Sequence, residues 1–370
     1  MQNSIIPFVS FDFIRNIRIM IDVLKVIVPA VLTFFIGILI TPFFTDYFYK
    51  YKMWKKSPRT EAGDITNAHF AEVHNTSAEI STPRIGGMII WVSVLLTVFV
   101  IYFLSVIFPT DLMHKLNFFS RGQTLIPLAT LILASLIGLG DDLLQIFGRG
   151  KYAKDPLIYR KIKIVCISII GLLISLWFYF KLESTSIHIP FGGDVILGLW
   201  FIPVFIIVML AVFSSSVIDG MDGLSGGVLA SIFTAYSVIA FVHNQIDISA
   251  LCAVLAGGIL AFLWFNIPPA RFYMGETGMV GLTVTLSVIA FMTNSVLILP
   301  IIALPLVATS LSVILQINAY KYFNKKRIFR VAPLHHHFEA LGWSREKVVM
   351  RYWIISLVFA VFGVIISLVS

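Results

Sequence analysis

The chain of 370 residues is 58% hydrophobic and only 12% charged. A soluble globular chain carries about 25% charged residues, so this composition excludes a soluble protein and is typical of a protein that crosses a membrane several times. The formal net charge of +8 needs no nucleic acid to explain it, because Lys and Arg collect at one membrane face. Cys166 and Cys252 both fall inside apolar runs and indicate no disulfide framework.

Apolar runs of nearly the length that a bilayer core requires, roughly 20 residues, recur along the whole chain. The sequence therefore predicts an all-α polytopic membrane protein, a single domain over residues 1–370 with about ten transmembrane helices. The predicted spans are 19–44, 86–109, 124–140, 161–180, 197–213, 225–242, 249–265, 277–293, 297–320 and 352–369.

The distribution of Lys and Arg predicts the orientation. With ten spans, 21 of the 27 basic residues lie in or beside connections on the same side of the membrane. Basic connections stay in the cytoplasm, so that side is predicted to be cytoplasmic and both termini to lie outside. Residues 1–18 carry Asp12, Arg15 and Arg18 without a continuous apolar core, so we expect no cleavable signal peptide. This pattern predicts a protein of the bacterial inner membrane.

Two adjacent carboxylates, Asp141 and Asp142, follow the third apolar run at its predicted cytoplasmic end. Carboxylates at a membrane edge are unfavourable unless they are paired, ligated or hydrated. Among the basic residues that follow, Lys161 and Lys163 could neutralise these carboxylates or an anionic substrate. The alternative interpretation is a solvated helix end.

The next predicted cytoplasmic connection contains Asp219, Gly220, Met221 and Asp222 in a stretch rich in glycine. Glycines let a backbone bend around a phosphate or a sugar. Uncompensated carboxylates in a tight loop suggest a metal ion, and hard oxygen ligands suggest Mg²⁺. An ordinary turn explains the same pattern nearly as well.

The connection before the eighth run contains Asn266, Tyr273 and Glu276. Tyr273 could stack on a flat base, and Asn266 could bind the edge of that base. Either residue could equally be an interfacial aromatic or a helix cap. Glu276 follows a glycine at the start of the run and adds another carboxylate on the same predicted side.

Three consecutive histidines, His335, His336 and His337, lie between a basic run and the last apolar run. A buried structural histidine usually occurs singly. Imidazoles at a membrane face can bind anionic groups or carry protons, so we interpret them as groups that face substrate phosphates. The alternative is an interfacial loop whose imidazoles are merely solvated.

Taken together, carboxylates and histidines fill four connections on one predicted side, and the opposite connections carry little chemistry. This pattern suits a Mg²⁺-dependent site at the cytoplasmic leaflet, where water and lipid substrates meet. Phosphoryl transfer is the chemistry that fits, because it needs metal and cationic groups around phosphates and a carboxylate base. The carboxylates are Asp141, Asp142, Asp219, Asp222 and Glu276.

From about Thr82 to its C-terminus the chain resembles the phospho-N-acetylmuramoyl-pentapeptide transferases, a branch of the polyprenyl-phosphate N-acetylhexosamine-1-phosphate transferases. The resemblance is densest at 262–266, 274–275, 327–329, 332–339, 342–343 and 353–356, and the triple histidine is specific to this branch. It implies a ten-helix enzyme of the lipid bilayer that joins UDP-N-acetylmuramoyl-pentapeptide to undecaprenyl phosphate with Mg²⁺, giving lipid I and UMP. The resemblance leaves open whether the enzyme is a homodimer.

By motif, Asp141 and Asp142 match the aspartate pair that handles the lipid phosphate, with Asp141 as the expected base. Asp219 matches the third acidic position, and we expect Asp219 and Glu276 to bind Mg²⁺. His335 and His336 are expected to act on the donor. The remaining matches are Gly220, Met221 and Asp222 in the nucleoside turn, Asn266 and Tyr273 near the uracil, Lys161 and Lys163 in a lysine pattern shifted by one residue, and His337 in the histidine motif.

The chain departs from the family pattern at several positions. Glu276 stands where the family has a metal-binding Asp, and Tyr273 replaces the usual Phe. Phe213 and Ser216 stand where the family has two asparagines. Glu79 stands where a pocket lysine is expected.

Three other functions are alternatives to this one. A sister transferase would move another N-acetylhexosamine-1-phosphate onto polyprenyl phosphate. An ion-coupled transporter would place its acids near the bilayer midplane, whereas here they lie at span ends. An inactive paralogue with a scaffolding role would explain the changes at Ser216 and Glu276.

Overall fold

The computed structural model describes residues 6–54, 61–62, 65–66, 81–148, 156–323 and 327–370, and the chain is mostly helical. Glu79 lies outside these residues. The helices are α1 Ile6–Lys50, α2 Met88–Ile107, α3 Asp111–Leu116, α4 Leu125–Phe147, α5 Pro156–Lys181, α6 Phe201–Ser214, α7 Leu224–Val242, α8 Ile246–Asn266, α9 Gly275–Met292, α10 Leu299–Ile302, α11 Leu304–Tyr322, α12 Leu334–Ala340 and α13 Arg345–Val369.

Short antiparallel strand pairs and 3₁₀ turns complete the described structure. Strands β1 (Glu61–Ala62) and β2 (Ile65–Thr66) form one pair. Strands β3 (Ser186–Ile189) and β4 (Gly193–Ile196) form a hairpin between α5 and α6. A 3₁₀ turn at Ser215–Ile218 leads from α6 into the acidic turn at 219–223.

In the described part of the chain, nine helices are long and apolar enough to cross a membrane. This finding confirms a polytopic membrane protein, while the count of ten and the orientation of the termini stay predictions. The predicted span 297–320 differs from the structure, because the helix is interrupted at Ala303 between α10 and α11. Pro305 follows that break in the first turn of α11, where proline is tolerated because its missing N–H would have no helical partner.

The most buried helix is α9. Of its apolar stretch 89% is buried, against 17% for α1 at the periphery. Small residues let α9 approach α4 closely: a Cβ added to Gly138 would collide with the backbone carbonyl of Glu276, and one added to Gly281 would collide with Ser135. This contact places the C-terminal end of α4 beside the first turn of α9.

The turn before α2 pairs with the segment before α9. Tyr273 donates its backbone N–H to the carbonyl of Pro83 at 2.8 Å, and Gly86 donates to the carbonyl of Tyr273 at 2.9 Å. A further backbone bond of 2.9 Å joins Gly87 to Met274. These bonds bring Arg84 to the start of α9.

Candidate active site

An ion-paired cluster lies where α4, α5 and α9 meet. The ammonium of Lys163 lies 2.7 Å from Oδ2 of Asp141 and 3.1 Å from Oε1 of Glu276. The side chain of Asp141 is only 3% exposed, and that of Lys163 is 13% exposed. Because this ammonium is within ion-pair distance of both side chains, its charge offsets two carboxylates at once.

The first turn of α9 supplies backbone donors to two more carboxylates. Thr277 donates its N–H to Oδ2 of Asp142 at 2.9 Å, and Gly275 donates its N–H to Oδ2 of Asp219 at 3.2 Å. The N-terminal N–H groups of a helix have no helical acceptor, so anionic groups are stabilised there. The hydroxyl of Ser225 holds the other oxygen of Asp219 at 2.8 Å.

Glycine is required at Gly275. Its φ is +67°, and an added Cβ would collide with the carbonyl of Arg84 and lie 2.7 Å from Oδ2 of Asp142. Both Asp142 and Asp219 therefore lie against the same glycine, and Glu276 follows it in the chain. The carboxylates predicted separately in three connections are brought together around the start of one helix.

Arg84 is a residue of this site that the sequence interpretation did not single out. It is 8% exposed. Burial raises the pKa of Asp219, while the hydrogen bond from Ser225 and the positive charge of Arg84 oppose that rise. Arg84 lies two residues before the paired glycines Gly86 and Gly87. Paired glycines allow another backbone to approach closely, and this signal could have identified Arg84 as a site residue.

The solvated helix end considered for Asp141 and Asp142 is wrong. The two residues are 5% and 1% exposed, because α9 covers the end of α4. Within the described part of the chain, Oδ1 of each aspartate is buried without a hydrogen-bond partner. Buried carboxylate oxygens normally have partners, so these two can accept a ligand or a proton.

The two predicted lysines differ in position. Lys161 is exposed on α5 and contacts none of the site carboxylates in the described structure, whereas Lys163 pairs with Asp141 and Glu276. Residues two apart on a helix point about 200° apart, so both cannot face the cluster. The expectation that Lys161 neutralises these carboxylates is therefore wrong.

Asn266 and Asp222 hold the acidic turn to the loop before α9. Oδ1 of Asn266 accepts from the N–H of Gly223 at 2.9 Å, and its Nδ2 donates to the carbonyl of Phe272 at 2.8 Å. Oδ2 of Asp222 accepts from the N–H of Ala270 at 3.1 Å, and burial raises the pKa of Asp222. The amide of Asn266 is thus used within the protein, and its contact with a base stays a prediction.

The other residues predicted near the nucleoside differ in their exposure to solvent. Met221 is buried among the apolar side chains of the core, so the structure gives its side chain a packing role. Tyr273 is half-buried at the pairing with the turn before α2, and Gly220 is exposed. The indole of Trp353 donates to the carbonyl of Gly223 at 3.0 Å and fixes the turn from the side of α13.

The three histidines occupy different environments on α12. His335 is completely buried, and neither of its ring nitrogens has a hydrogen-bond partner among the described residues. Its ring and that of His336 both point at Gly220: an added Cβ there would collide with Nε2 of His335 and lie 3.3 Å from Nε2 of His336. His337 instead accepts from the backbone N–H of Arg330 at 3.2 Å, away from the turn.

The described residues include no set of three His, Cys, Asp or Glu side chains that could hold a metal ion. The donor chemistry still fits Mg²⁺, because Glu276 and Asp219 offer hard oxygen atoms on either side of Gly275. Magnesium usually takes only one or two carboxylates and completes its shell with water and substrate phosphates.

Residues 124–294 match the glycosyl transferase family 4 model, a range that includes the five carboxylates of the candidate site. The chain is 33% identical over 304 residues to a phospho-N-acetylmuramoyl-pentapeptide-transferase of Chloroflexus aurantiacus, covering 79% of this chain and 78% of that relative. It is 33% identical over 337 residues to one of Clostridium perfringens, covering 90% and 94%. The chain belongs to the phospho-N-acetylmuramoyl-pentapeptide transferase family.

Membership of the transferase family confirms the resemblance that the aspartate and histidine motifs indicated. A further member, from Geobacillus sp., is 31% identical over 351 residues, covering 92% of this chain and 97% of that relative. Because the Geobacillus match covers 92% of this chain, it extends beyond residue 294 and includes residues of the histidine helix α12 together with the carboxylates. The family assignment argues against an ion-coupled transporter.

Proposed function

We propose that the chain transfers phospho-N-acetylmuramoyl-pentapeptide from its UDP-linked donor to undecaprenyl phosphate, giving lipid I and UMP. The observation that carries this proposal is the convergence of Lys163, Asp141, Asp142, Asp219 and Glu276 at the start of α9 in a member of the transferase family. Both substrates are phosphates, and phosphoryl transfer depends mainly on positioning and on groups that stabilise charge.

The reaction forms one P–O bond and breaks another. An oxygen of undecaprenyl phosphate attacks the phosphorus that carries the sugar, and the bond between the two phosphates of UDP breaks to release UMP. Asp141 takes the proton of the lipid phosphate through its unpartnered Oδ1. Lys163 lies beside the same carboxylate, where a cation also offsets the charge of the arriving phosphate.

We propose that Glu276 and Asp219 hold Mg²⁺. When bound, this ion supplies charge neutralisation at the diphosphate of the donor. Asp219 is held in place by Ser225 and by the N–H of Gly275, so its orientation is set before the ion binds. Lys163 holds Glu276 in the same way from the side of α5.

The donor is proposed to lie across the turn at 219–223. Gly220 is exposed and leaves space beside His335 and His336, where a Cβ would collide. The two imidazoles are thus directed at the backbone that a diphosphate would follow. Tyr273 and Asp222 are the proposed neighbours of the nucleoside.

The proposed location is the bacterial inner membrane, with this site facing the cytoplasm. The donor is water-soluble and the acceptor is a lipid, so the site must lie where both can reach it. Clusters at span ends, as in Asp141 and Glu276, meet that requirement better than groups at the bilayer midplane would.

A donor panel tests the proposal. Purified full-length protein is incubated with undecaprenyl phosphate, Mg²⁺ and one of UDP-N-acetylmuramoyl-pentapeptide, UDP-N-acetylglucosamine or UDP-N-acetylgalactosamine, and UMP is measured. We expect release from the muramoyl-pentapeptide donor at least about 100-fold faster than from the others. Preference for another UDP-sugar would make the chain a sister transferase, and no release from any donor would favour an inactive paralogue.

A further inference from the structure

Glu339 connects the histidine helix to the last span. It lies one turn after His336 on α12, and its Oε2 is 3.0 Å from Nδ1 of His336. Its Oε1 accepts from Nε of Arg345, in the first turn of α13, at 2.6 Å. The side chains of His336 and Glu339 are 6% and 11% exposed, so water competes little for these bonds.

The bond to Glu339 decides which nitrogen of His336 carries the hydrogen. A carboxylate only accepts hydrogen bonds, so Nδ1 must carry the hydrogen, and in the neutral ring Nε2 then carries the lone pair. Nε2 is the atom that points at Gly220. The carboxylate therefore presents the basic nitrogen of His336 to the turn that is proposed to bind the donor.

Arg345 holds the carboxylate in its charged form. Burial opposes ionisation of Glu339, but the hydrogen bonds from His336 and Arg345 together outweigh that effect and lower the pKa of Glu339. The neutral, protonated form of the Glu339 carboxyl is thus disfavoured in the folded protein. His335, whose ring centre lies 4.4 Å from that of His336, has no comparable partner in the described structure, so the anchoring is specific to His336.

We propose that Glu339 is a positioning residue for the transfer reaction, which fixes the tautomer and the direction of His336 so that Nε2 faces the donor phosphates. This inference rests on the proposed function and deepens it. It predicts that Glu339 contributes to turnover through His336 without touching the donor itself, in the way that a buried carboxylate orients a catalytic histidine in a triad.

The direct test is the protonation pattern of His336 in the full-length protein. With ¹⁵N-labelled histidine, and with the signals of His336 assigned by their loss in His336→Gln, nitrogen NMR should show hydrogen on Nδ1. In Glu339→Gln the amide oxygen still accepts from Arg345, but the amide NH2 then faces Nδ1 of His336 and donates to it, so we expect the hydrogen to move to Nε2. Turnover should fall by about 10- to 100-fold with the KM for the donor changed less than about threefold.

Glu346→Gln is the matched control, because Glu346 is an exposed glutamate on α13 near Arg345. It should leave the tautomer and turnover unchanged. Hydrogen on Nε2 alone in the unmodified protein would overturn the proposal, and this measurement does not depend on whether Glu339→Gln folds. Loss of turnover in Glu339→Gln with an unchanged tautomer would also overturn it. The NMR result is independent of the donor panel, so failure of the proposed function is recognised separately.

Discussion

Lys163 and Asp141 form a buried ion pair of 2.7 Å between α5 and α4, and the same ammonium lies 3.1 Å from Glu276 on α9. One lysine therefore ties three helices together at the point where the carboxylates converge. Breaking a buried pair by removing one partner is strongly unfavourable, because the remaining charge is left uncompensated. This relationship makes Lys163 the first residue to test.

Lys163→Met should lower turnover by about 100-fold and destabilise the protein by about 3 kcal/mol, because Asp141 and Glu276 lose their shared cation. Lys161→Met is the matched control on the same helix, two residues earlier and exposed, and should change turnover less than about threefold. Turnover and thermal unfolding in detergent check both variants. Equal effects of the two substitutions would show that the ion pair has no special role.

Two glycines of α4 offer a second matched pair. A Cβ at Gly138 would collide with the carbonyl of Glu276, whereas a Cβ at Gly140 would meet nothing within 4 Å. Gly138→Ala should therefore displace the first turn of α9, lower the unfolding temperature and reduce turnover at least about tenfold. Gly140→Ala should be neutral or slightly stabilising, since Ala favours a helix by about 1 kcal/mol over Gly. A Gly138→Ala variant as active and stable as the unmodified protein would contradict this account of the α4–α9 contact.

The spans could be predicted from the sequence because each apolar run has nearly the length that a bilayer core requires. The interruption at Ala303 could not, since the residues around it are as apolar as a continuous helix would be. The sequence indicated the carboxylates of the candidate site by residue type and by their predicted position on one side of the membrane. The sequence could not show that Lys163, and not Lys161, pairs with these carboxylates, because the pairing depends on the rotation of α5 and on its distance from α4. Arg84 could not be assigned to the site from the sequence, because its position beside α9 depends on backbone pairing between segments distant in the chain.

Glu276 should be needed for metal-dependent turnover. Glu276→Gln removes the charge that would bind Mg²⁺ and should abolish the response of UMP release to Mg²⁺. Glu276→Asp should retain part of the activity with a higher Mg²⁺ requirement, because the shorter arm withdraws the oxygen atoms by roughly 1.5 Å, about one bond length. Adding Ser216→Asn to Glu276→Asp should recover more activity than the single changes predict. An unchanged Mg²⁺ response in Glu276→Gln would contradict a role in metal binding.

The free energy of unfolding should decrease at acid pH because of His335. Burial, with a smaller effect of His336, lowers the pKa of His335 well below its usual value. The unfolded chain binds a proton at this residue below about pH 6.5, while the folded chain does not, so the contribution is fully present above that pH. Below it, stability should fall by up to about 1.4 kcal/mol per pH unit until His335 is protonated in the folded protein.

Unfolding temperatures at pH 7.5 and 5.5 check this expectation. His335→Gln should reduce the difference between the two temperatures, since the glutamine does not titrate. His243→Gln changes an exposed histidine and should keep the difference seen in the unmodified protein. An unaltered pH dependence in His335→Gln would contradict the assignment to His335.

The carboxylates at the start of α9 are proposed to carry out phosphoryl transfer to a lipid phosphate. The most direct measurement is the rate of UMP release from UDP-N-acetylmuramoyl-pentapeptide, with undecaprenyl phosphate as acceptor, for Asp141→Asn, Asp142→Asn and Asp219→Asn. We predict that each variant folds and that each rate falls by about 10²- to 10³-fold or more, because the charge at the reacting phosphates is lost. Rates within about threefold of the unmodified protein for all three variants would contradict the claim.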